Sequence, residues 1–149
     1  MSKTEICHQK PPCDMEFLRR HMEEISEIII PPLKERVDLS GYTEKLAKYA
    51  DIFYAKNQEK VCGSCEVYLN QKRAYITSIA VFPEYQGRGI GSALLNAVVK
   101  EVEMRNIEEI DLEVFMNNIK AICFYKRHGF FAIEEKGKWI KMRKKIVKE

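Results

Sequence analysis

Long apolar runs are missing from this chain. No stretch approaches the ~20 residues that a membrane-spanning helix needs, and the opening MSKTEICHQK contains no apolar core of a secretion signal. Both absences lead to the expectation of a cytoplasmic protein with no membrane partner. Cysteine is present without a framework: Cys7, Cys13, Cys62, Cys65 and Cys123 make an odd set with no paired spacing, as expected of free thiols in a reducing compartment. Cys62-Gly-Ser-Cys65 falls in a predicted strand, where residues three apart point to opposite faces, and no second CxxC follows it. Cys7, His8 and Cys13 lie close in sequence, but a structural metal site needs four well-placed ligands, so no metal is expected. Strong charge bias is lacking too, since 25 basic residues against 22 acidic ones leave a net charge of +3. The one basic stretch holds Lys136, Lys138, Lys141, Arg143, Lys144, Lys145 and Lys148. Trp139, Ile140, Met142, Ile146 and Val147 interleave with them, which is the pattern of a half-buried strand with a solvated face rather than a nucleic-acid surface. Repeats, low-complexity blocks and linkers are absent, and 149 residues suit one domain that buries roughly 70% of its unfolded surface.

What the chain does have is centred on Tyr75 to Leu95, YITSIAVFPEYQGRGIGSALL. An apolar alternation predicts a strand, Pro83 and Glu84 stop it, three glycines follow, and an apolar helix begins at Ser92. Gly87, Gly89 and Gly91 have no Cβ atoms to hold a ligand away, and their N–H groups adjoin the positive end of the helix. Such a turn suits a pyrophosphate. It is not a P-loop, because no Lys-Ser or Lys-Thr follows the glycines, and Gly-x-Gly-x-Gly is not the GxGxxG dinucleotide fingerprint.

Around this centre the first dozen residues read as an extended lead-in. Asp14 caps a helix whose apolar stripe is Phe17, Leu18, Met22, Ile25, Ile28 and Ile29, ended by Pro31 and Pro32. A short helix from about Tyr42 to Ala50 follows a Ser40-Gly41 turn. Ile52 to Ala55, Val61 to Leu69 and Arg73 to Val81 predict an antiparallel meander. A helix over Gly89 to Arg105 crosses to a buried strand, Ile110 to Phe115, expected parallel to Arg73 to Val81. Asn118 to His128 is a helix closed by Gly129, and Phe130 to Glu135 with Lys138 to Ile146 form a last hairpin. The expected class is α+β, one domain over 1–149, with a mixed and mostly antiparallel sheet of about six strands flanked by about four helices.

Gln86-Gly87-Arg88-Gly89-Ile90-Gly91 resembles the pyrophosphate loop, Q/R-x-x-G-x-G/A, of the GNAT superfamily of acetyl-CoA-dependent N-acetyltransferases. A second block supports it. Asn118, Ala121, Tyr125, Gly129 and Phe130 stand in the N-x-x-A-x-x-x-Y-x-x-x-G-F spacing of that superfamily. The likeness covers about Ile52 to Phe131 and hardly reaches Met1 to Ala50. It implies acetyl-CoA as donor and CoA as product. Ile79, Ala80 and Val81 would pair with the pantetheine arm like an added strand, while Gln86 to Gly91 and Ser92 take the pyrophosphate. Arg88 would add a charged contact, and Asn118, Phe124 and Tyr125 would line the groove.

Acetyl transfer needs an acceptor amine without its proton, donors for the oxyanion and a proton for the departing thiolate. Tyr125 suits the last task, because a phenol of pKa ~10 stays protonated at neutral pH. Glu113, between Leu112 and Val114, is the candidate base, with Glu66, Glu84 and Tyr75 as substitutes. No Cys-His or Ser-His-Asp set supports an acyl-enzyme at Cys123 or Ser92, and His128 reads as a capping or surface residue. The interval from Glu113 to Tyr125 resembles that of ribosomal-protein N-terminal acetyltransferases, although Phe115 stands where those carry arginine. PPLKERVDLSGYTEKL instead has a loose likeness to bacterial members acting on amino sugars. The acceptor therefore stays open among a peptide N-terminus, an amino sugar and a small amine, with a monomer or homodimer expected. A non-catalytic CoA-binding sensor or interaction module on the same scaffold is the alternative.

Overall fold

The computed structural model describes residues 4–146 and holds seven strands in one sheet. In chain order the elements are β1 (Thr4–Gln9), α1 (Met15–Ile28), α2 (Leu39–Tyr49), β2 (Ala50–Asn57), β3 (Lys60–Tyr68), β4 (Ala74–Val81), α3 (Ile90–Met104), β5 (Glu109–Phe115), α4 (Ile119–Arg127), β6 (Phe131–Lys136) and β7 (Trp139–Lys145). Short 3-10 turns at Leu33–Glu35 and Pro83–Tyr85 join α1 to α2 and β4 to α3. Strand order is β1-β2-β3-β4-β5-β7-β6, and every neighbouring pair is antiparallel except β4 with β5. The class is the expected α+β.

Two sequence expectations are corrected at the N-terminal end. The lead-in is a strand: β1 pairs with β2 over Thr4 to Gln9, which raises the sheet from six strands to seven. His8 fixes it, stacking on Phe53 at 4.1 Å and bonding Asp51 Oδ2 at 2.6 Å, while Arg105, the residue that ends α3, reaches the same carboxylate at 2.9 Å. In addition, α2 starts at Leu39, three residues early, because Asp38 rather than a Ser40-Gly41 turn caps it through the Gly41 N–H. Asp14 caps α1 as expected, accepting from Glu16 and Phe17.

Each face of the sheet has its own core. On one side α3 lays Ile90, Leu94, Leu95, Val98 and Val102 over Phe53, Val67, Ile76 and Leu112. On the other, Leu18, Met22 and Ile25 of α1 and Leu46 of α2 meet Ala50 and Ile52. Each such side chain contributes roughly 1.5–3 kcal/mol by leaving water. Cys62 and Cys65 were expected on opposite faces, yet both enter the α3 core. The ladder shifts register between Ala55 and Lys56, and that extra residue in β3 returns Cys62 to the side of Cys65. All five thiols are free.

The basic stretch is a strand face held by its neighbours. Arg143 forks onto Asp111 at 2.7 and 2.9 Å, and Lys144 donates to the His128 carbonyl at 2.7 Å. Val147 and Lys148 of that stretch lie outside the described residues. Among the described residues, no helix is long and apolar enough to cross a membrane.

Candidate active site

β4 and β5 run parallel for only three residue pairs, Ala74 to Ile76 against Ile110 to Leu112. The next residue, Thr77, is the extra one in a bulge, since β3 pairs Val67 with Ile76 and then Glu66 with Ser78. A bulge bends its strand, and beyond it β4 and β5 part. The edge of β4 from Thr77 to Val81 faces the resulting cleft without a strand partner on that side. A cavity of about 600 Å³ fills the opening.

The glycine turn closes one end of the cleft, and its glycines serve two purposes. Gly87 and Gly89 have φ of +80° and +78°, which L side chains rarely adopt, and a Cβ on either would meet nothing within 4 Å. The space above them is open to a ligand. Gly91 has ordinary backbone, but a Cβ there would stand 3.3 Å from the Phe124 ring, so α3 and α4 pack through it. The first helical bond of α3 runs from the Ala93 N–H to the Gly89 carbonyl. Ile90, Gly91 and Ser92 thus present unbonded amides at the positive helix end. Open space over left-handed glycines, backed by free amides, fits the pyrophosphate of the implied cofactor.

Of the cofactor residues expected from sequence, the cavity brings together Ile79, Ala80, Val81, Gln86, Gly87, Gly89, Ile90, Gly91, Ser92, Asn118, Phe124 and Tyr125. Arg88 is turned aside, donating to the Glu84 carbonyl at 3.3 Å with its guanidinium 5.4 Å from the Tyr85 ring centre. Asn118 is the α4 cap, its Oδ1 accepting from the Ala121 N–H at 3.2 Å, which explains the Asn-x-x-Ala spacing physically. His128 does more than cap. Its Nε2 bonds Ser92 Oγ at 2.9 Å and its ring lies 4.6 Å from Phe124, tying the end of α4 to the start of α3.

Tyr125 and Glu113 both line the cavity. Tyr125 is buried, and burial first, then the neighbouring Cys65, pushes its phenol well above the ordinary tyrosine range. It therefore carries its proton at any working pH. Glu113 lies on the opposite face of β5 from Leu112 and Val114, exposed and in no ion pair among the described residues.

Sequence reasoning missed the groove beyond Glu113. A second cavity of about 210 Å³ is lined by Leu33, Arg36, Val37, Tyr42, Tyr75, Thr77, Glu113 and Trp139. The Arg36 guanidinium rests 4.8 Å from the Trp139 ring centre, spanning from the α1–α2 connection to β7, and Tyr42 bonds Thr77 at the bulge. Burial raises the phenol of Tyr75 to about 12, helped by Glu113. Behind the bulge, Ser78 donates to the fully buried Glu66, while His21 Nε2 bonds Ser64 Oγ at 2.6 Å. Burial lifts Glu66 from 4.5 to about 7, partly offset by Ser64 and Ser78. No sequence period marks these groups, because the walls come from five separate segments.

A strand split by a bulge and a left-handed glycine turn border one cavity that Tyr125 also lines, an arrangement that fits an acyl-CoA-type transferase cleft. Comparison with known proteins agrees. The sequence pattern of the Acetyltransferase (GNAT) family matches residues 18–130, and the chain belongs to that family. The match begins inside α1, earlier than the two motifs reach. N-alpha-acetyltransferase 50 of Danio rerio is 35% identical over 102 residues, 68% of this chain and 58% of that protein. An N-alpha-acetyltransferase of Sulfurisphaera tokodaii is 47% identical over 60 residues, 40% of this chain and 36% of that protein. The chain thus spans between a third and three fifths of these curated relatives. Among solved structures, the ribosomal-protein-S18-alanine N-acetyltransferase of Escherichia coli superposes with a TM-score of 0.77 at 22% identity, covering 99% of this chain and 96% of that one. The PaiA N-acetyltransferase of Thermoplasma acidophilum, solved with coenzyme A, gives 0.70 at 20% identity over 95% and 99%.

Proposed function

We propose that the protein transfers an acetyl group from acetyl-CoA to the α-amine of a peptide by direct attack within a ternary complex. The observation that carries this reading is the parting of β4 and β5 at Thr77, which opens the cavity that Tyr125 and Glu113 both line. Acetyl-CoA, when bound, supplies an activated thioester. The chain supplies the rest. The cleft-facing edge of β4 from Ile79 to Val81, whose other edge is bonded to β3, offers strand-like hydrogen bonds to the pantetheine arm and an N–H to the thioester oxygen. The turn from Gln86 to Gly91, with Ser92, receives the pyrophosphate, and Asn118 and Phe124 shape the groove wall. Glu113 draws in the amine and accepts its proton, directly or through water, and Tyr125 returns a proton to the leaving sulfur. A peptide acceptor is supported by relatives named as N-alpha-acetyltransferases.

Thiol release from acetyl-CoA, followed against a peptide panel and an amino-sugar panel, tests this. Turnover with peptides and not with amino sugars is the expected result. Micromolar CoA binding with no turnover of any amine would instead favour a CoA-binding sensor on the same scaffold.

A further inference from the structure

The charges around the acceptor end of the cleft are sparse and unequal. Among the described residues, Glu113 is the only carboxylate lining either cavity, whereas Arg36 lines both. Arg36 follows the 3-10 turn of the α1–α2 connection, its backbone N–H donating to the Leu33 carbonyl at 3.0 Å, while its side chain makes no ion pair or hydrogen bond among the described residues. Its guanidinium lies over the Trp139 ring and feels the charge of Glu113 and the phenols of Tyr42 and Tyr75. The other cations of the larger cavity, Lys120 and Arg127, belong to α4 at the cofactor end, and Lys120 is held by Gln86 at 3.2 Å.

A guanidinium stacked on an indole is oriented at little entropic cost and still offers its N–H fork in the ring plane. Leu33, Val37 and the Trp139 ring give the small cavity an apolar side, so an anion beneath Arg36 is partly shielded from water. Glu113 sits across the same cavity and is committed to the amine in the reading above. That leaves the positive charge of Arg36 without a counter-charge once the amine has docked. Polycationic acceptors are disfavoured by the same distribution.

We propose that the acceptor carries a carboxylate close to its reactive amine, and that Arg36, braced on Trp139, is the receptor for it. The inference rests on the acetyltransferase reading. Two sources share this chemistry: an acidic side chain within the first two residues of a peptide, or the carboxylates of a small free amino acid. The volume of about 210 Å³ accommodates an Asp or Glu side chain, and the peptide source is the one adopted.

The experiment compares peptides identical except for Asp, Asn, Glu, Gln or Lys at the first or second position, alongside free aspartate and glutamate, by thiol release. The Asp/Asn and Glu/Gln ratios of kcat/KM are expected at roughly 10- to 100-fold in the wild type, the range for a charge-assisted hydrogen bond. In Arg36→Gln both ratios should fall towards one, and in Arg36→Glu the Lys peptide should overtake the acidic ones. A ratio taken on one enzyme preparation is insensitive to the folded fraction, and a merely structural Arg36 would slow all peptides equally. Acetylation of free aspartate or glutamate but no peptide, with the same dependence on Arg36, would keep the carboxylate receptor and remove the peptide reading. Equal turnover of Asn, Lys and Asp peptides, or a preference that survives Arg36→Gln, would overturn the receptor and leave the transferase intact. CoA binding without turnover of any amine would overturn both.

Discussion

The wall of the cleft made by the glycine turn, α3 and α4 offers a ligand mostly backbone, whereas the facing wall offers side chains. Left-handed Gly87 and Gly89, the free amides of Ile90 to Ser92 and the unpaired edge of β4 do not depend on side-chain identity beyond the absence of Cβ. Arg36, Tyr42, Tyr75, Glu113 and Trp139 come from the α1–α2 connection, α2, β4, β5 and β7, and depend on it wholly. A backbone site recognises a constant group such as a pyrophosphate. A side-chain site can be retuned residue by residue while the donor half stays fixed.

The largest effect should come from attacking the backbone wall. Gly89→Val forces a β-branched residue into φ of +78° and places atoms in the space open to the ligand. It should cost about 1–2 kcal/mol of fold stability yet abolish CoA binding in calorimetry. Retained binding would show that the turn does not hold the pyrophosphate. Next, Tyr125→Phe should lower kcat roughly 100-fold or more with CoA affinity nearly intact, because it removes a proton donor and leaves the wall's shape. An unchanged rate would take Tyr125 out of the proton path.

Glu66 allows a prediction on pH, behind the side-chain wall. Its folded pKa of about 7 lies above the ordinary 4.5, so its protonated form is favoured by folding. That stabilisation is full below pH 4.5 and is lost as pH rises through 7. His21 opposes it: burial lowers its pKa from 6.5 to about 4, so its contribution is present above 6.5 and lost as pH falls towards 4. Glu66→Gln should therefore make stability less dependent on pH between 4.5 and 7 on the Glu66 side, and raise it most at pH 8. Thermal melts across that range check this, and a variant that loses stability most at alkaline pH would contradict the burial argument. The smallest effect is expected from Trp139→Ala. Losing the cation–π brace should cost roughly 0.5–1 kcal/mol, or about 2- to 5-fold in acceptor KM. Kinetics showing a change in CoA affinity instead would blur the separation of the two walls.

Much of the donor half was legible beforehand because its signals are local. Gln86 to Gly91 and Asn118 to Phe130 are contiguous, and each glycine or cap acts on neighbours a few residues away. Glu113 stood out in sequence as a carboxylate alternating with apolar Leu112 and Val114. The acceptor half was not, since Arg36 gains meaning only from Trp139, more than a hundred residues on. The strand β1 was missed for a related reason: as an edge strand paired with β2 alone, Thr4 to Gln9 leaves only a faint alternation in sequence. The register shifts beside Ala55, at Thr77 and between Ala132 and Glu134 were invisible because a bulge is set by the partner strand.

By itself, then, the sequence determined the order of most helices and strands, the family motifs and the glycine turn before α3, all of which follow from short-range periodicity and backbone preference. Only the tertiary structure decided where β4 and β5 part, that Cys62 and Cys65 share one core, that Glu66 is sealed behind Ser78, and that Arg36 faces Glu113 across a cavity. Those depend on register and on contacts between distant segments, which packing fixes and local propensity does not encode.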